Sequence, residues 1–357
     1  MFQKIYLTGL LRGHSEKNFF IWRPVIIGKL KVVVLGSNSF SGADFIDLLL
    51  ERGGYSVTGV SRSPEKGECF LPYKRRSNID FRFHQMDFNN DMDRIVDLLD
   101  LVQPEYVVNF AAQSEVGPSW DFPDQWFQTN AVAITQLINA LKEKKYLKRY
   151  VHISSPEVYG TCEGVVREDA PMNPSTPYAA SKAAGDFSIY TYVKNFNFPM
   201  VMIRATNVYG ACQQLFKIIP RSVIYLRQGK TIELHGGGEA VKSYIHIRDV
   251  SKGELAAMKN GKDGSIYHLS PDKGIAVRDV VRAICNSMGK DFDESVCNVS
   301  ERLGQDKAYV IDSTRAREEL GWTTAVSLEE GVQGVVRWVE EYWEDIQVKP
   351  LEYVHKP

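Results

Sequence analysis

What this chain lacks narrows it first. Net charge is almost absent: 43 Lys+Arg against 44 Asp+Glu leave −1 over 357 residues, so no global field draws it to nucleic acid or an anionic membrane. Cysteine is sparse, odd in number and scattered (Cys69, Cys162, Cys212, Cys285, Cys297). No close pair could make a metal knuckle or a redox dithiol, which argues against a disulfide scaffold and a bound metal and suits a reducing, cytoplasmic setting. Long apolar runs are missing too. Residues 1–30 hold only short apolar stretches broken by Lys, Arg, Glu and His, which fits neither a signal peptide nor a membrane span, and they are expected to be an extension preceding the fold. No solenoid repeat or low-complexity tract is visible.

What is present is a core-forming composition, 44% hydrophobic and 11% aromatic, arranged in alternating patterns. "KLKVVVLGSNSFSGADFIDLLLERG" reads as strand, glycine-rich turn and helix. Strands follow in "YSVTGVSR", "DFRFHQMDF", "PEYVVNFAA" and "KRYVHISS", with helices in "MDRIVDLLDLV" and "TNAVAITQLINALKEKK". Strands too apolar for a solvated face, alternating with helices, predict a doubly wound parallel α/β sheet of Rossmann type. From about Val208 the texture changes to short strands ("SIYHLS", "KAYVID") between helices, which predicts a smaller mixed α/β domain. The expected division is an extension over 1–30, a dinucleotide-binding domain over 31–207, a mainly substrate-binding domain over 208–345 and a tail over 346–357.

Two absences mark the expected cofactor site. In "GSNSFSG" the turn glycines are Gly36 and Gly42, and Ser39 stands where a third glycine is usual. After the second strand, where a chain that prefers NAD commonly has a carboxylate for the ribose hydroxyls, "VSRSPEK" offers Ser61, Arg62 and Ser63. An arginine flanked by hydroxyls can hold a 2′-phosphate, so NAD or NADP is expected, with NADP favoured. Asp87 in "QMDF" can accept from the adenine amino group or cap a turn. Further on, "STPYAASKAAGD" places Tyr178 and Lys182 four apart on one helix face. An ammonium near a phenol is expected to lower its pKa and make it a usable base.

The glycine turn, "NFAAQS", "SSPEVYG", Tyr178/Lys182, "RATNVYG", "KSYIHIRDV" and "ERLGQDKAYVIDSTRAREELGW" occur in order from about Lys31 to about Asp345. Together they resemble the extended short-chain dehydrogenase/reductase family, in its epimerase/dehydratase group, most closely the nucleotide-sugar 4,6-dehydratases of the dTDP-glucose and GDP-mannose types. The resemblance implies a cofactor site of Gly36, Ser39, Phe40, Gly42, Ser61, Arg62, Asp87, Phe88, Ala111 and Ala112, with Tyr178 and Lys182. It implies that Tyr178 deprotonates the sugar 4-hydroxyl, Ser155 hydrogen-bonds the same oxygen, Lys182 holds the nicotinamide ribose and Glu157 removes the proton on carbon 5. The dTDP-glucose enzymes carry an aspartate before this glutamate, as the acid for the departing 6-hydroxyl; here Pro156 fills that slot and can donate no proton.

For the nucleotide end of an NDP-sugar, the resemblance implies Ser114, Asn207, Lys217, Arg221, Lys242 and Arg302. Lys242 replaces the usual arginine, and Glu115 replaces a histidine in the Ala-Ala-x-Ser-His pattern. A homodimer through a four-helix interface is implied as well, as is a role in glycan or surface-polysaccharide synthesis. Two other readings stand beside dehydration. An epimerase or reductase would use the same tyrosine but has no need of Glu157, and a non-catalytic dinucleotide sensor has no need of a tuned phenol.

Overall fold

The computed structural model describes residues 28–161, 164–300 and 308–356. Along the first half run β1 (Leu30–Leu35), α1 (Phe40–Arg52), β2 (Tyr55–Ser61), β3 (Phe81–Gln85), α2 (Met92–Val102), β4 (Tyr106–Asn109), α3 (Pro123–Phe127), α4 (Ala133–Leu141), β5 (Arg149–Ile153), α5 (Pro177–Phe196) and β6 (Met200–Ala205). The second half holds β7 (Asn207–Tyr209), α6 (Ile218–Arg227), β8 (Ile232–His235), β9 (Val241–Lys242), β10 (Tyr244–His246), α7 (Ile247–Asn260), β11 (Ile266–Leu269), β12 (Ile275–Ala276), α8 (Val277–Ser287), β13 (Val296–Val299) and β14 (Ala308–Tyr309). A helix at Leu328–Glu341 closes the smaller lobe.

Seven strands form one sheet in the order β11-β6-β5-β4-β1-β2-β3, and every pairing in it is parallel. The strand β1 shows why its sequence is so apolar. Val32 and Val34 enter the core layer shared with α1 and α7, while Val33 and Leu35 enter the layer under α2, α4 and α5. All four are at most 1% exposed, as expected for a strand covered on both faces. Chain order reverses between β1 and β4, and the crevice at the carboxyl ends of these strands is where an open α/β sheet takes its ligand.

One expectation changes here. "SIYHLS", read from the sequence as part of the smaller domain, is β11, the outermost strand of the main sheet beside β6. The chain leaves for the smaller lobe after β6 and returns through α7, whose Ser251 Oγ donates to Asp44 Oδ2 on α1 at 2.7 Å. Apolar periodicity reports burial and not the sheet that supplies it, so this crossing was invisible locally. "KAYVID" does reach the smaller lobe, as β14 beside β9. That lobe has its own core, in which Val223, Ile284, Val332 and Val335 are wholly buried. Residues 1–27 of the expected extension, together with Arg302 and Cys162, lie outside the described residues.

Candidate active site

The glycine turn between β1 and α1 forms the floor of a cleft of ≈ 370 Å³ at the carboxyl ends of the strands. Gly36 has φ +81° and lies so close to the β4 end that a Cβ would stand 2.7 Å from the Ala111 nitrogen. Gly42 is equally constrained, since a Cβ there would meet the Gly36 carbonyl at 2.5 Å. Ser39 caps α1, its Oγ accepting from the Gly42 N–H at 3.0 Å, so the residue that replaces the usual glycine satisfies a free helix donor. Ser61 Oγ accepts from the Asn38 N–H at 2.9 Å, and Asn38 Nδ2 donates to the Ser63 and Pro64 carbonyls. These bonds fasten the loop after β2 onto the turn.

The cleft is lined by Gly36, Ser39, Ser61, Arg62, Asp87, Phe88, Ala111, Ala112 and Ser114 among others. Phe40 is 9% exposed on the first turn of α1 and packs inward. Asp87 lines the cleft but also caps its own turn, accepting from the Asn89 N–H and from Asn90 Nδ2, each at 2.9 Å. The capping role read for it from the sequence is thus present, on a residue that lines the cleft. The cradle of two glycines that admit no Cβ, next to a helix N-terminus, fits a dinucleotide pyrophosphate.

Beyond the cleft stands the second cluster. Ser155 caps a short 3-10 turn, Pro156–Tyr159, and its Oγ accepts from the Glu157 N–H at 3.3 Å. Pro156 occupies the first position of that turn, where its fixed φ suits the geometry and its missing N–H costs nothing. The proline that removes an acid thus holds the turn that carries Glu157. Tyr178 and Lys182 lie on α5, which Thr176 caps by accepting from the Ala179 N–H at 3.1 Å. Lys182 Nζ donates to the Ile153 carbonyl, at the end of β5, at 2.7 Å. Ser155 and Glu157 both act on the Tyr178 phenol and Lys182 lies one turn further along α5, so Ser155, Glu157, Tyr178 and Lys182 form one group.

The electrostatics of this group correct the sequence expectation. Burial raises the Tyr178 phenol above the ordinary tyrosine range; the Glu157 charge adds to this, the Ser155 hydrogen bond opposes it, and Glu115 and Asp186 raise it further. The lysine cation is engaged instead by a backbone carbonyl, and burial brings it down to about 8, with Asp186 supporting its charge and Arg204 opposing it. The cation expected to lower the phenol is thus turned to Ile153, and Tyr178 lacks its help in this arrangement.

Beneath the group lies a layer the sequence analysis missed. Asp186, four residues after Lys182 on the same face of α5, accepts at Oδ2 from Ser154 Oγ at 2.6 Å and from Arg204 Nη2 at 2.7 Å. Asp186 and Arg204 are both 0% exposed. Burial pushes the Asp186 carboxyl up, but the His152 ring, Arg204 and Lys182 together hold it below the usual range. The His152 Nε2–Asp186 Oδ1 separation is 3.4 Å with neither atom otherwise hydrogen-bonded, a close polar approach at the long end of hydrogen-bond distances. Burial keeps His152 neutral, lowering it to about 4. The Tyr178, Lys182, Asp186 spacing of four was the available signal for this layer.

The substrate side is more open. Lys217, expected on a diphosphate, ion-pairs Glu115 at 2.9 Å across the boundary between the lobes. Arg221, on α6, stacks its guanidinium 5.9 Å from the Tyr225 ring. Asn207 is exposed at the start of β7. Lys242 sits in β9 between β12 and β14. Ser114 and Glu115 both line the cleft, so the Lys217–Glu115 pair reaches its edge. The chain's tail also lines the cleft: Tyr353, Val354 and Lys356 form part of its wall, and nothing in the sequence signalled it.

A Rossmann sheet whose carboxyl edge joins a dinucleotide cradle to a Ser, Tyr and Lys cluster defines a short-chain dehydrogenase/reductase of the extended type. Residues 33–335 match the family model for GDP-mannose 4,6 dehydratase. The chain belongs to that family, and so to the nucleotide-sugar 4,6-dehydratases. A dTDP-glucose 4,6-dehydratase of Streptomyces griseus is 30% identical over 322 residues, spanning 88% of this chain and 96% of the relative. The solved dTDP-glucose 4,6-dehydratase of Streptomyces venezuelae, with NAD bound, superposes with a TM-score of 0.78 at 28% identity, covering 87% of this chain and 97% of its own. A UDP-glucuronic acid 4-epimerase of Bacillus cereus, solved with UDP-glucuronic acid and NAD, reaches 0.79 at 26% identity, covering 87% and 99%. Backbone likeness therefore does not separate dehydration from epimerisation, and the side chains around Tyr178 must.

Proposed function

We propose that Glu157 works as the carbon-5 base in this chain, which is an NDP-sugar 4,6-dehydratase of the hydro-lyase class. The observation that carries the proposal is the carboxylate itself, held by the Ser155–Pro156 turn near enough to Tyr178 to raise its phenol. The substrate is dTDP-glucose or a GDP- or UDP-linked hexose or N-acetylhexosamine, and the product the matching NDP-4-keto-6-deoxy sugar for glycan or surface-polysaccharide synthesis. A NAD-type dinucleotide, when bound, would supply the reversible hydride chemistry, as acceptor towards carbon 4 and donor towards carbon 6.

The chain's own residues move the protons. Ser155 Oγ and Tyr178 Oη hold the sugar 4-oxygen, and Tyr178 takes its proton as the carbonyl forms. That carbonyl acidifies carbon 5, and Glu157 removes the carbon-5 proton. Pro156 supplies no acid, so the carboxyl group that Glu157 has just become is the donor at hand for the 6-hydroxyl, which leaves as water. One carboxylate thus serves as base and then acid; when hydride returns to carbon 6 the enolate takes a solvent proton at carbon 5, Tyr178 releases its proton to solvent, and both groups end the cycle as they began. Lys182, tied to Ile153, orients the cofactor ribose.

Preference for NADP belongs to the same reading. The loop after β2 gives the cleft Arg62 and Lys66 and no carboxylate, because Glu65 is engaged by the Tyr73 hydroxyl at 3.0 Å and the Lys74 ammonium at 2.9 Å. A homodimer is proposed through α5 and the helical run of α3 and α4, on which Phe127, Val132 and Phe187 are 39%, 44% and 58% exposed.

The test is turnover of dTDP-, UDP- and GDP-linked hexoses in deuterated water, with NADP or NAD, read by mass spectrometry. Loss of water with deuterium at carbon 5 is expected from one of them. Isomerisation without water loss would replace this reading with the epimerase.

A further inference from the structure

The segment Leu351–Lys356 forms no helix or strand, yet it crosses the cofactor cleft and is held at several points. Its Lys356 carbonyl accepts from Arg62 Nη2 at 3.0 Å and from Gln113 Nε2 at 2.9 Å. His355 stacks on Phe122, with ring centroids 4.4 Å apart and planes 6° from parallel, and the Trp126 ring lies 5.5 Å away at 16°. Its Nε2 lies 2.8 Å from Gln125 Oε1, and its Nδ1 3.2 Å from Tyr353 Oη. These distances fit an Nε2–H tautomer that donates to the amide and accepts from the phenol. Tyr353 meets Phe216 of the smaller lobe edge-on, at 5.5 Å and 84°. The strap therefore joins both lobes while Tyr353, Val354 and Lys356 wall the cleft.

We propose that this strap is part of the cofactor site: it closes over the bound dinucleotide, adds the Lys356 cation to Arg62 and Lys66 at the adenosine end, and retains the cofactor between turnovers. The proposal rests on the dinucleotide reading above. Three cations converge there with no carboxylate from the same loop among the cleft residues. Lys66 is held below the ordinary lysine range by burial of its ammonium and by the Lys356 charge, and a bound phosphate would relieve that repulsion. The chemistry tolerates such closure. A dehydratase that returns its hydride within each cycle ends with the cofactor in its starting state, so release is not needed for turnover, whereas a net dehydrogenase would be throttled by it. An irregular segment held by one stacked ring and a few side-chain hydrogen bonds is the kind of element that opens locally at modest cost, which leaves a route for loading.

The test measures cofactor dissociation without any sugar. NADPH and NADH are bound to the full chain and chased with unlabelled oxidised cofactor, following nicotinamide fluorescence by stopped flow. The parent is compared with a chain ending at Pro350, with His355→Ala, which removes the stacked anchor, and with Phe122→Ala, which breaks the same anchor from the other side. The expected result is dissociation faster by about tenfold or more in all three, about 1.4 kcal/mol of lost retention, with the larger change for NADPH in the deletion. Equal dissociation rates in parent and deletion overturn the strap alone. Tighter binding after deletion overturns it too, since the segment would then obstruct the cleft and not close it. A parent that binds neither nucleotide overturns the dinucleotide reading itself, and the strap with it.

Discussion

The buried floor beneath the Tyr178 cluster and the rim of the cleft are built on different physics. On the floor, Asp186, Arg204, Ser154 and His152 are all at most 9% exposed, and Asp186 and Arg204 are fully buried. Their bonds are short and Asp186 Oδ2 is shared between two donors. On the rim, Lys217 keeps 37% of its side chain exposed and Glu115 18%, and the pair spans two lobes. Charges in the floor have no water to fall back on, so each must keep its partner. Those on the rim can exchange partners for a ligand at little cost. Chemistry is thereby fixed by the floor, and recognition is left to residues that can be redirected.

The comparison breaks most visibly where the two regions meet. Glu157→Gln keeps the shape of the turn and removes the base; we expect water elimination and carbon-5 deuterium exchange to fall by about 10²–10⁴-fold, with the urea midpoint unchanged. A loss below tenfold would move the carbon-5 base elsewhere. Within the floor, Arg204→Met leaves Asp186 buried without the cation that hydrogen-bonds it, and a stability loss of about 3–5 kcal/mol is expected in urea unfolding. Adding Asp186→Leu to that variant should recover part of the loss, because the uncompensated charge is then gone. If the double variant is no better than the single, the layer is held by packing and not by charge.

Acidity sharpens the same contrast. Burial lowers His152 from 6.5 to about 4 and His268 from 6.5 to about 3. Between these values the unfolded chain binds protons that the folded chain refuses, so stability is full above pH 6.5 and is lost as pH falls through the window. For His152 alone the loss is at most about 3 kcal/mol. Urea midpoints measured at intervals from pH 7 to pH 4 should fall, and His152→Asn should flatten the fall. A rim variant such as Glu115→Gln should leave the profile's shape unchanged.

Legibility followed the same division. The Rossmann alternation, the glycine turn and the Tyr178/Lys182 spacing were readable because each is local: a period, a tight turn, one face of a helix. The Ser155–Pro156–Glu157 turn could be read for its residues, and its structure adds that Pro156 suits the first position of the turn. What could not be read was long-range. Lys182 was expected to lower Tyr178, but whether an ammonium faces a phenol or a carbonyl depends on where β5 ends, and Ile153 takes it. The return of β11 to the main sheet, the Arg204 partner of Asp186 and the strap over the cleft each join segments far apart in sequence. No periodicity encodes such pairings.

The smallest expected effect tests the rim directly. Lys217 is the residue on which sequence resemblance and structure differ in emphasis: expected at a sugar-nucleotide diphosphate, it rests at 2.9 Å from Glu115. If the pair is a resting state that releases Lys217 to a ligand, Lys217→Ala should change stability by less than about 1 kcal/mol, as exposed ion pairs do, while raising the KM for the NDP-sugar and leaving kcat nearly unchanged. Glu115→Gln should do the reverse to KM, because it frees the lysine in advance. Opposite KM shifts from the two partners of one salt bridge would show that Glu115 competes with the diphosphate. Parallel shifts would show that the pair acts as a unit, holding the two lobes in register.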